Sequence, residues 1–326
     1  MLKTWFSKDS IFPIADILEV KLLNFTKILL IAGFLSSSIC LARVIPEDVV
    51  QSLRSPYSEE EQNLLDADFE YIRQLVFRGK RTPQDRKPIY LATAGGPGAR
   101  KSTILESYIY NKAEFANTVY VDPDQRALKF MGNTFYDQSL NNFKISQSKD
   151  YPSAQKAAYD YWRAGSNYIA NALLNEAVAG GYDIAHGTTL TGPHSGALLK
   201  KLKDAGYQIV LVLCGAEDEL RMDSVRHRNE VQGFYQTDPE DVKEKALLFP
   251  QRLEDYFAHA DELWIHWSEQ LNSPLEPSAY ISLVSKKMEV FSKEPYEKFT
   301  KKMNLDASKQ TSVASWEKIM KKFNIK

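Results

Sequence analysis

The stretch IYLATAGGPGARKST, residues 89–103, joins a short apolar run to a loop rich in glycine. The apolar run has the length and composition of a buried strand. Glycines let successive backbone N–H groups of the loop turn toward one point, and the helix that follows adds positive potential at its N-terminus. A strand, a glycine-rich loop and a helix in this order predict a phosphate-binding loop, or P-loop.

The loop contains the residue types that bind ATP and magnesium. Lys101 can reach the β- and γ-phosphates, and the Ser102 hydroxyl can ligate Mg²⁺. Arg100 stands where the P-loop consensus has glycine, so its side chain must point away from the nucleotide. The candidate ATP-binding segment consists of nine consecutive residues: Gly95, Gly96, Pro97, Gly98, Ala99, Arg100, Lys101, Ser102 and Thr103.

Four further apolar runs have the character of strands. They are residues 118–121, 182–185, 208–214 and 262–267, and helical patterns lie between them. Strands that alternate with helices of this length require crossovers that pack over a parallel sheet. The predicted class is therefore α/β: a P-loop kinase fold with a five-stranded parallel sheet, helices on both faces, and helical extensions at both ends.

Three segments flank the predicted kinase domain, residues 88–270. Residues 1–43 include the apolar run ILLIAGFLSSSICLA, residues 28–42, which suits a secretory signal or a short membrane anchor, with a packed helix as the alternative. The first case places the protein outside the cytoplasm or at a membrane, and the second leaves it cytoplasmic. A capping box of Ser58 and Glu61 begins a helix in the lead-in, residues 44–87. Residues 271–326 are predicted to be a basic helical tail.

Charge is balanced over the whole chain but uneven along it. The 41 Lys and Arg residues against 42 Asp and Glu residues leave a net charge of −1, which argues against a nucleic-acid partner. Residues 281–326 hold eleven lysines and five acidic residues. These lysines have two interpretations, solvated helix faces or a surface for a membrane or protein partner. The two cysteines, Cys40 and Cys214, form no recognisable disulfide framework.

A pair of carboxylates follows the second predicted strand. Asp122 and Asp124 flank Pro123, at the sheet edge where α/β proteins bind ligands. A kinase that acts on a hydroxyl needs a carboxylate to orient that hydroxyl and to accept its proton. The alternative is a turn at the strand end, in which Asp124 caps the next helix.

Five motifs in order resemble the zeta-toxin family of P-loop kinases. They are ATAGGPGARKST, VYVDPD, GYDIAHGTTL, SVRHRNEVQGFYQTDPEDV and LEDYFAHADELWIH, and they span roughly residues 88–267. The resemblance implies ATP and Mg²⁺ as cofactors, held by Lys101 and Ser102. It further implies Asp124 as the catalytic base, and Arg228 as the arginine that the lid helix brings onto the transferred phosphate.

The resemblance also implies a small acceptor, such as the nucleotide-sugar UDP-N-acetylglucosamine. Asp122, His186 and Thr188 are the candidate acceptor-binding residues. His186 stands where many members have an acidic residue, and an imidazole does not replace a carboxylate that binds sugar hydroxyls. Lys245 and Arg252 lie near the expected place of a second lid arginine, which has no clean match.

Two functions from different classes remain open at this point. One is an ATP-dependent kinase for a small acceptor, acting as a toxin or effector; the other is a degenerate P-loop module that binds nucleotide or a partner without catalysis. Arg100 and His186 favour the module, whereas Lys101, Asp124 and Arg228 favour the kinase. A polynucleotide kinase would need a basic stripe beside the acceptor cleft, which the acidic main domain does not supply.

Overall fold

A mixed sheet of seven strands organises the fold. The strands along the chain are β1 Ile89–Ala94, β2 Val119–Val121, β3 Ile184–His186, β4 Gln208–Ala216, β5 Glu262–Ser268, β6 Ala279–Ser282 and β7 Lys287–Val290. Their order in the sheet is β2-β3-β1-β4-β5-β6-β7. The first five strands are parallel to one another. Strand β6 runs antiparallel to β5, and β7 runs antiparallel to β6.

The computed structural model describes residues 43–140, 151–230, 237–239, 241–272 and 274–326. Arg43–Lys326 forms one compact unit. The apolar run at residues 28–42, predicted as a signal or anchor, lies outside the described residues. Within the described ranges, no helix is both long enough and apolar enough to cross a membrane.

The helices cover both faces of the sheet. Their bounds in chain order are α1 Glu47–Ser52, α2 Glu59–Phe77, α3 Lys101–Asn111, α4 Tyr151–Ala179, α5 Ser195–Asp204, α6 Asp218–Glu230, α7 Asp241–Leu247, α8 Leu253–His259, α9 Lys293–Ser308 and α10 Trp316–Lys322. Two π-helical segments, Pro123–Ala127 and Gly132–Leu140, follow β2.

Local sequence explains the main elements. All six residues of β1 are buried, as expected for a strand with neighbours on both sides and helices on both faces. The predicted capping box is present at α2, where Ser58 Oγ accepts the Glu61 N–H at 3.3 Å and Glu61 Oε2 accepts the Ser58 N–H at 2.8 Å. The buried positions of α2 recur on one face, at Leu65, Ile72 and Val76.

The prediction of a five-stranded sheet is wrong in strand number. The five predicted strands are present and parallel, but β6 and β7 extend the sheet on the β5 side. They come from the segment that was predicted to be helical throughout. Each has only four residues and at least one strongly polar side chain, so the alternating pattern is too short to separate from a loop in the sequence.

Candidate active site

The P-loop, residues 95–103, connects β1 to α3 with two glycines that no other residue can replace. A Cβ atom on Gly95 would lie 2.3 Å from the backbone oxygen of Cys214, and one on Gly98 would lie 2.2 Å from the backbone oxygen of Arg221. Their φ angles, 145° and 77°, also favour glycine. The loop is therefore tightly held between β4 and α6.

Lys101 and Ser102 begin α3 at the end of this loop. The Lys101 ammonium donates a hydrogen bond to the Gly96 backbone oxygen at 2.8 Å, so its side chain folds back across the loop. Burial lowers the pKa of Lys101 to about 8, and Arg228 and Arg221 nearby act in the same direction. A bound polyanion would favour the charged ammonium in this position.

Arg100 takes the backbone conformation of the glycine it replaces. Its φ and ψ are 57° and 21°, in the left-handed region. The guanidinium donates to the backbone oxygen of Gln270 at 3.4 Å and does not line the cleft described below. The side chain thus leads away from the phosphate side of the loop.

A cleft of about 780 Å³ begins at the P-loop and extends to α1. Most of the predicted site residues line it: Pro97, Gly98, Lys101, Ser102, Asp122, Asp124, His186, Thr188 and Arg228. The remaining loop residues, Gly95, Gly96, Ala99, Arg100 and Thr103, shape the loop without lining the cleft. The fold therefore brings residues from four separate motifs to one cavity.

The two carboxylates after β2 have different environments. Asp122 is 5% exposed, and its Oδ1 accepts the backbone N–H groups of Asp124 at 2.7 Å and Gln125 at 2.8 Å. Burial and the neighbouring Asp124 charge raise the pKa of Asp122. Asp122 is thus the cap of the following turn, whereas the Asp124 carboxylate does not cap it and lines the cleft.

Arg163 of α4 holds the Asp124 carboxylate in an ion pair. Its guanidinium also lies over the Tyr159 ring, 5.4 Å from the centroid, and both side chains line the cleft. Arg163 is not among the site residues predicted from the sequence. The available signal was the spacing of Tyr159, Arg163, Asn167 and Asn171, four polar residues four positions apart on one face of a long helix.

Arg228 enters the same cleft from α6. Its Nε is buried and has no hydrogen-bond partner among the described residues. Burial lowers the pKa of Arg228, while Asp124, Tyr159 and Asp122 act in the opposite direction. A partly buried guanidinium with a buried, unsatisfied Nε–H is suited to an anionic ligand.

His186 and Thr188 form the wall next to β1. The Tyr90 hydroxyl lies 2.6 Å from His186 Nδ1, and burial lowers the pKa of His186 to about 4. The imidazole is therefore neutral near pH 7, and its Nδ1 shares a hydrogen bond with the Tyr90 hydroxyl. The Thr188 hydroxyl accepts the Leu190 N–H at 3.2 Å.

The two basic residues near the expected second lid arginine differ in position. Lys245 of α7 lines the cleft and donates to Thr237 Oγ1 at 2.9 Å. Arg252 does not line it and pairs with Asp255 at 3.4 Å. Lys245 thus supplies a cation without the two-pronged geometry of a guanidinium.

The site fits a nucleotide with magnesium. A triphosphate requires a loop whose glycines leave no room for a Cβ atom, a lysine that folds across this loop, and an arginine such as the partly buried Arg228. No group of three or more His, Cys, Asp or Glu side chains that could hold a metal occurs in the described part of the chain. Mg²⁺ would take Ser102 and phosphate oxygens instead, since this ion keeps few protein ligands.

Comparison with known proteins identifies a family and a similar fold. The zeta toxin family profile matches residues 73–256. The fold is similar to that in the crystal structure of AvrRxo1-ORF1:-ORF2 with ATP, with a TM-score of 0.55 and 12% identity over 83% of this chain and 91% of that chain. The native AvrRxo1-ORF1:-ORF2 complex gives 0.51 and 12% over 85% and 89%.

A chain of the PezAT chromosomal toxin-antitoxin system of Streptococcus pneumoniae gives a TM-score of 0.48 and 19% identity over 68% of this chain and 80% of that chain. No curated protein matches significantly. The family profile covers more than half of the chain, and its range includes the P-loop, both carboxylates after β2 and Arg228. The chain therefore belongs to the zeta toxin family, with the P-loop kinase fold.

Proposed function

We propose that this protein is an ATP-dependent kinase that transfers the γ-phosphoryl group to a hydroxyl of a small acceptor. One observation carries the proposal. Because Asp122 caps the turn, the Asp124 carboxylate is available in the same cleft as Lys101 and Arg228. A base, a phosphate-binding lysine and an arginine around one cavity are the parts that phosphoryl transfer needs.

In the proposed reaction, Asp124 orients the acceptor hydroxyl and takes its proton. The acceptor oxygen forms a bond to the γ-phosphorus as the bond between that phosphorus and the bridging oxygen of ADP breaks. Arg163 fixes the Asp124 carboxylate from the other side. Lys101 binds the β- and γ-phosphates, and Arg228 stabilises the charge on the oxygens of the group in transit. Mg²⁺ held by Ser102 would neutralise the phosphates.

The acceptor that we propose has the size of a nucleotide-sugar such as UDP-N-acetylglucosamine. The cleft volume of about 780 Å³ supports a ligand of this size beside the triphosphate. His186 changes the groups that meet the acceptor, since a neutral imidazole has one N–H and one acceptor nitrogen where a carboxylate has two acceptor oxygens for sugar hydroxyls. The family description supports a role as a toxin or effector.

Asp124→Asn tests the kinase against the non-catalytic module. Asn keeps the shape of the side chain but removes its charge and its basic oxygen. Phosphoryl transfer should fall by about 10²- to 10⁴-fold, while ATP binding stays near the parent value. Titration calorimetry gives the binding constant, and a single-turnover assay with labelled ATP and a pool of nucleotide-sugars and nucleosides gives the transfer rate.

Asp122→Asn is the matched control, since Asn caps a turn nearly as well as Asp. It should reduce transfer far less than Asp124→Asn does. If Asp124→Asn transfers phosphate at the parent rate, or if the two variants lose activity equally, the assignment of the base is wrong. A parent protein that binds ATP but phosphorylates nothing in the pool would favour the non-catalytic module.

A further inference from the structure

Two buried charged residues of α9 reach the helix that carries Arg228. Lys302 and Asp306 are 5% and 2% exposed. The Lys302 ammonium lies 2.7 Å from Asp306 Oδ2 and 3.0 Å from Oδ1 of Asp218, the first residue of α6. The C-terminal region, which lies beyond the family match at residues 73–256, therefore contacts α6 through buried charges.

Asp218 connects Lys302 to the P-loop through Arg221. Its carboxylate pairs with Arg221, which is 3% exposed. Burial opposes the charge on Asp218, but hydrogen bonds from Lys302 and Arg221 lower its pKa. A Cβ atom on Gly96 would lie 2.3 Å from Arg221 Nη1, so this guanidinium is packed directly against the loop. A continuous row of contacts thus runs from Lys302 through Asp218 and Arg221 to Gly96.

The loop has a specific need for such support. Arg100 holds a left-handed conformation that only glycine adopts without steric cost, so the loop favours its binding geometry less than a consensus P-loop does. A buried ion pair seldom stabilises a fold more than apolar side chains of similar volume would. The buried ion pairs therefore matter here for geometry, because they fix Arg221 against Gly96 and Gly98.

We propose that Arg221 is a positioning residue of the P-loop, held in place by Asp218 and Lys302, and that α9 is consequently part of the nucleotide site. The inference deepens the proposed function and rests on it for the identity of the nucleotide. Without Lys302, Asp218 loses a partner, Arg221 gains freedom, and the loop spends less time in the form that binds phosphate. ATP affinity should fall, while transfer at saturating ATP should stay close to the parent rate.

The test uses the full-length chain with a double substitution, Lys302→Met with Asp306→Leu. Lys302→Met alone would leave Asp306 buried without its main partner and endanger folding, whereas the double variant replaces both charges by apolar groups. Lys309→Met is the matched control. Lys309 pairs with the same Asp306 at 3.2 Å, but its side chain is 46% exposed and it is not part of the row to the P-loop.

The double variant should bind Mg·ATP about tenfold more weakly than the parent in titration calorimetry, as expected for coupled neighbours. Lys309→Met should bind within about twofold of the parent, a loss typical of an exposed pair. Thermal unfolding establishes that each variant is folded at the temperature used. A folded double variant with the parent affinity would overturn the proposal, and so would an equal loss in Lys309→Met.

Hydrogen exchange without nucleotide separates this inference from the kinase proposal. Amides of residues 95–103 should exchange faster in the double variant than in the parent or Lys309→Met, whereas amides of α4 should be unchanged. This result stands even if the parent binds no ATP, which would refute the kinase proposal alone. Unchanged exchange across the P-loop in the double variant would refute the positioning role.

Discussion

Arg100 shows how one side chain alters a loop that the rest of the sequence specifies well. A left-handed conformation costs a residue with a Cβ atom about 1–2 kcal/mol. Arg100 bears this cost at a φ of 57°, and its guanidinium contacts Gln270 rather than the cleft. The left-handed conformation of Arg100 thus lowers the stability of the loop, whereas the side that binds phosphate keeps its usual residues.

Arg100→Gly should therefore raise the free energy of unfolding. Glycine removes the cost of the left-handed conformation, but its greater entropy in the unfolded chain lowers the stability by about 0.5–1 kcal/mol. The first effect is larger, so the free energy of unfolding should rise by a few tenths to about 1 kcal/mol. Affinity for Mg·ATP should not decrease. Urea unfolding and titration calorimetry measure the two quantities.

Lys286→Gly is the matched control for the backbone effect. Lys286 has a φ of 59° in the turn between β6 and β7, remote from the P-loop. It should give a similar gain in stability without any change in nucleotide binding. A marked loss of ATP affinity in Arg100→Gly would show that the guanidinium does contact the nucleotide.

The site residues divide into those that the sequence predicts and those that need the fold. Lys101 and Ser102 follow from local spacing alone. The choice between Asp122 and Asp124 does not, because both follow the same strand and only two backbone hydrogen bonds assign the cap to Asp122. Arg163 lies thirty-nine positions after Asp124, so only the packing of α4 reveals that the two residues form an ion pair.

At the scale of elements, the N-terminal strap, residues 43–52, closes the end of the cleft that is remote from Asp124. The Asn175 carboxamide holds the strap through two hydrogen bonds to the backbone of Ile45. Its oxygen accepts the Ile45 N–H at 2.9 Å, and its NH₂ group donates to the Ile45 oxygen at 2.8 Å. Lys201 donates to the Val44 oxygen at 3.1 Å. Asn175 lies twelve residues beyond Arg163 on α4, about 18 Å along the helix axis.

Asn175→Leu should release the strap. The substitution removes both hydrogen bonds to Ile45, and leaving such groups unpaired costs about 1–3 kcal/mol. Trypsin should then cut faster at Arg43 and Arg54, and the KM of the acceptor identified in the labelling assay should rise. The Kd of Mg·ATP should stay constant, because the P-loop lies at the opposite end of the cleft.

Asn171→Leu provides the control one helical turn earlier, at a position that lines the same cleft. It should leave the trypsin cleavage rate unchanged, even if it affects the acceptor. Equal proteolysis of the parent and Asn175→Leu would show that the strap is held by its other contacts, and the strap would then lose its assigned role at the acceptor end.

Elements differ in how far the sequence predicts them. The helix α2 is evident from its capping box, and β1 and β4 from uninterrupted apolar runs. The strands β2 and β3 have only three residues each, and they overlap the predicted apolar runs 118–121 and 182–185. The strands β6 and β7 lie in no apolar run of that kind; β6 pairs with β5, and among the described strands β7 pairs only with β6.

Over the whole molecule, the segment predicted as a basic tail is part of the core. Phe299 of α9 is fully buried, and a Cβ atom on Gly215 of β4 would lie 2.7 Å from its ring. Lysines of this region pair with acidic residues of the main body, as Lys298 does with Glu269 at 2.5 Å. Their charge is therefore partly offset within the fold, which supports the interpretation as solvated and paired helix faces.

A fragment of residues 43–270 should consequently fail to fold, whereas residues 43–326 should unfold cooperatively. The shorter fragment loses β6, β7, α9 and α10. The lost segment contains six large buried apolar side chains: Ile281, Leu283, Phe299, Met303, Trp316 and Ile319. Burial of each contributes about 1.5–3 kcal/mol, and their combined loss is comparable to the whole free energy of unfolding of a typical domain, about 5–15 kcal/mol.

Circular dichroism during heating distinguishes the two fragments, with 43–326 as the control for removal of residues 1–42. The shorter fragment also exposes the hydrogen-bonding edge of β5, since β6 no longer covers it, so it should aggregate as well as lack a cooperative transition. A soluble 43–270 fragment that melts cooperatively would contradict this. The C-terminal region would then be an addition to an independent domain, and Lys302 would have no necessary place in the nucleotide site.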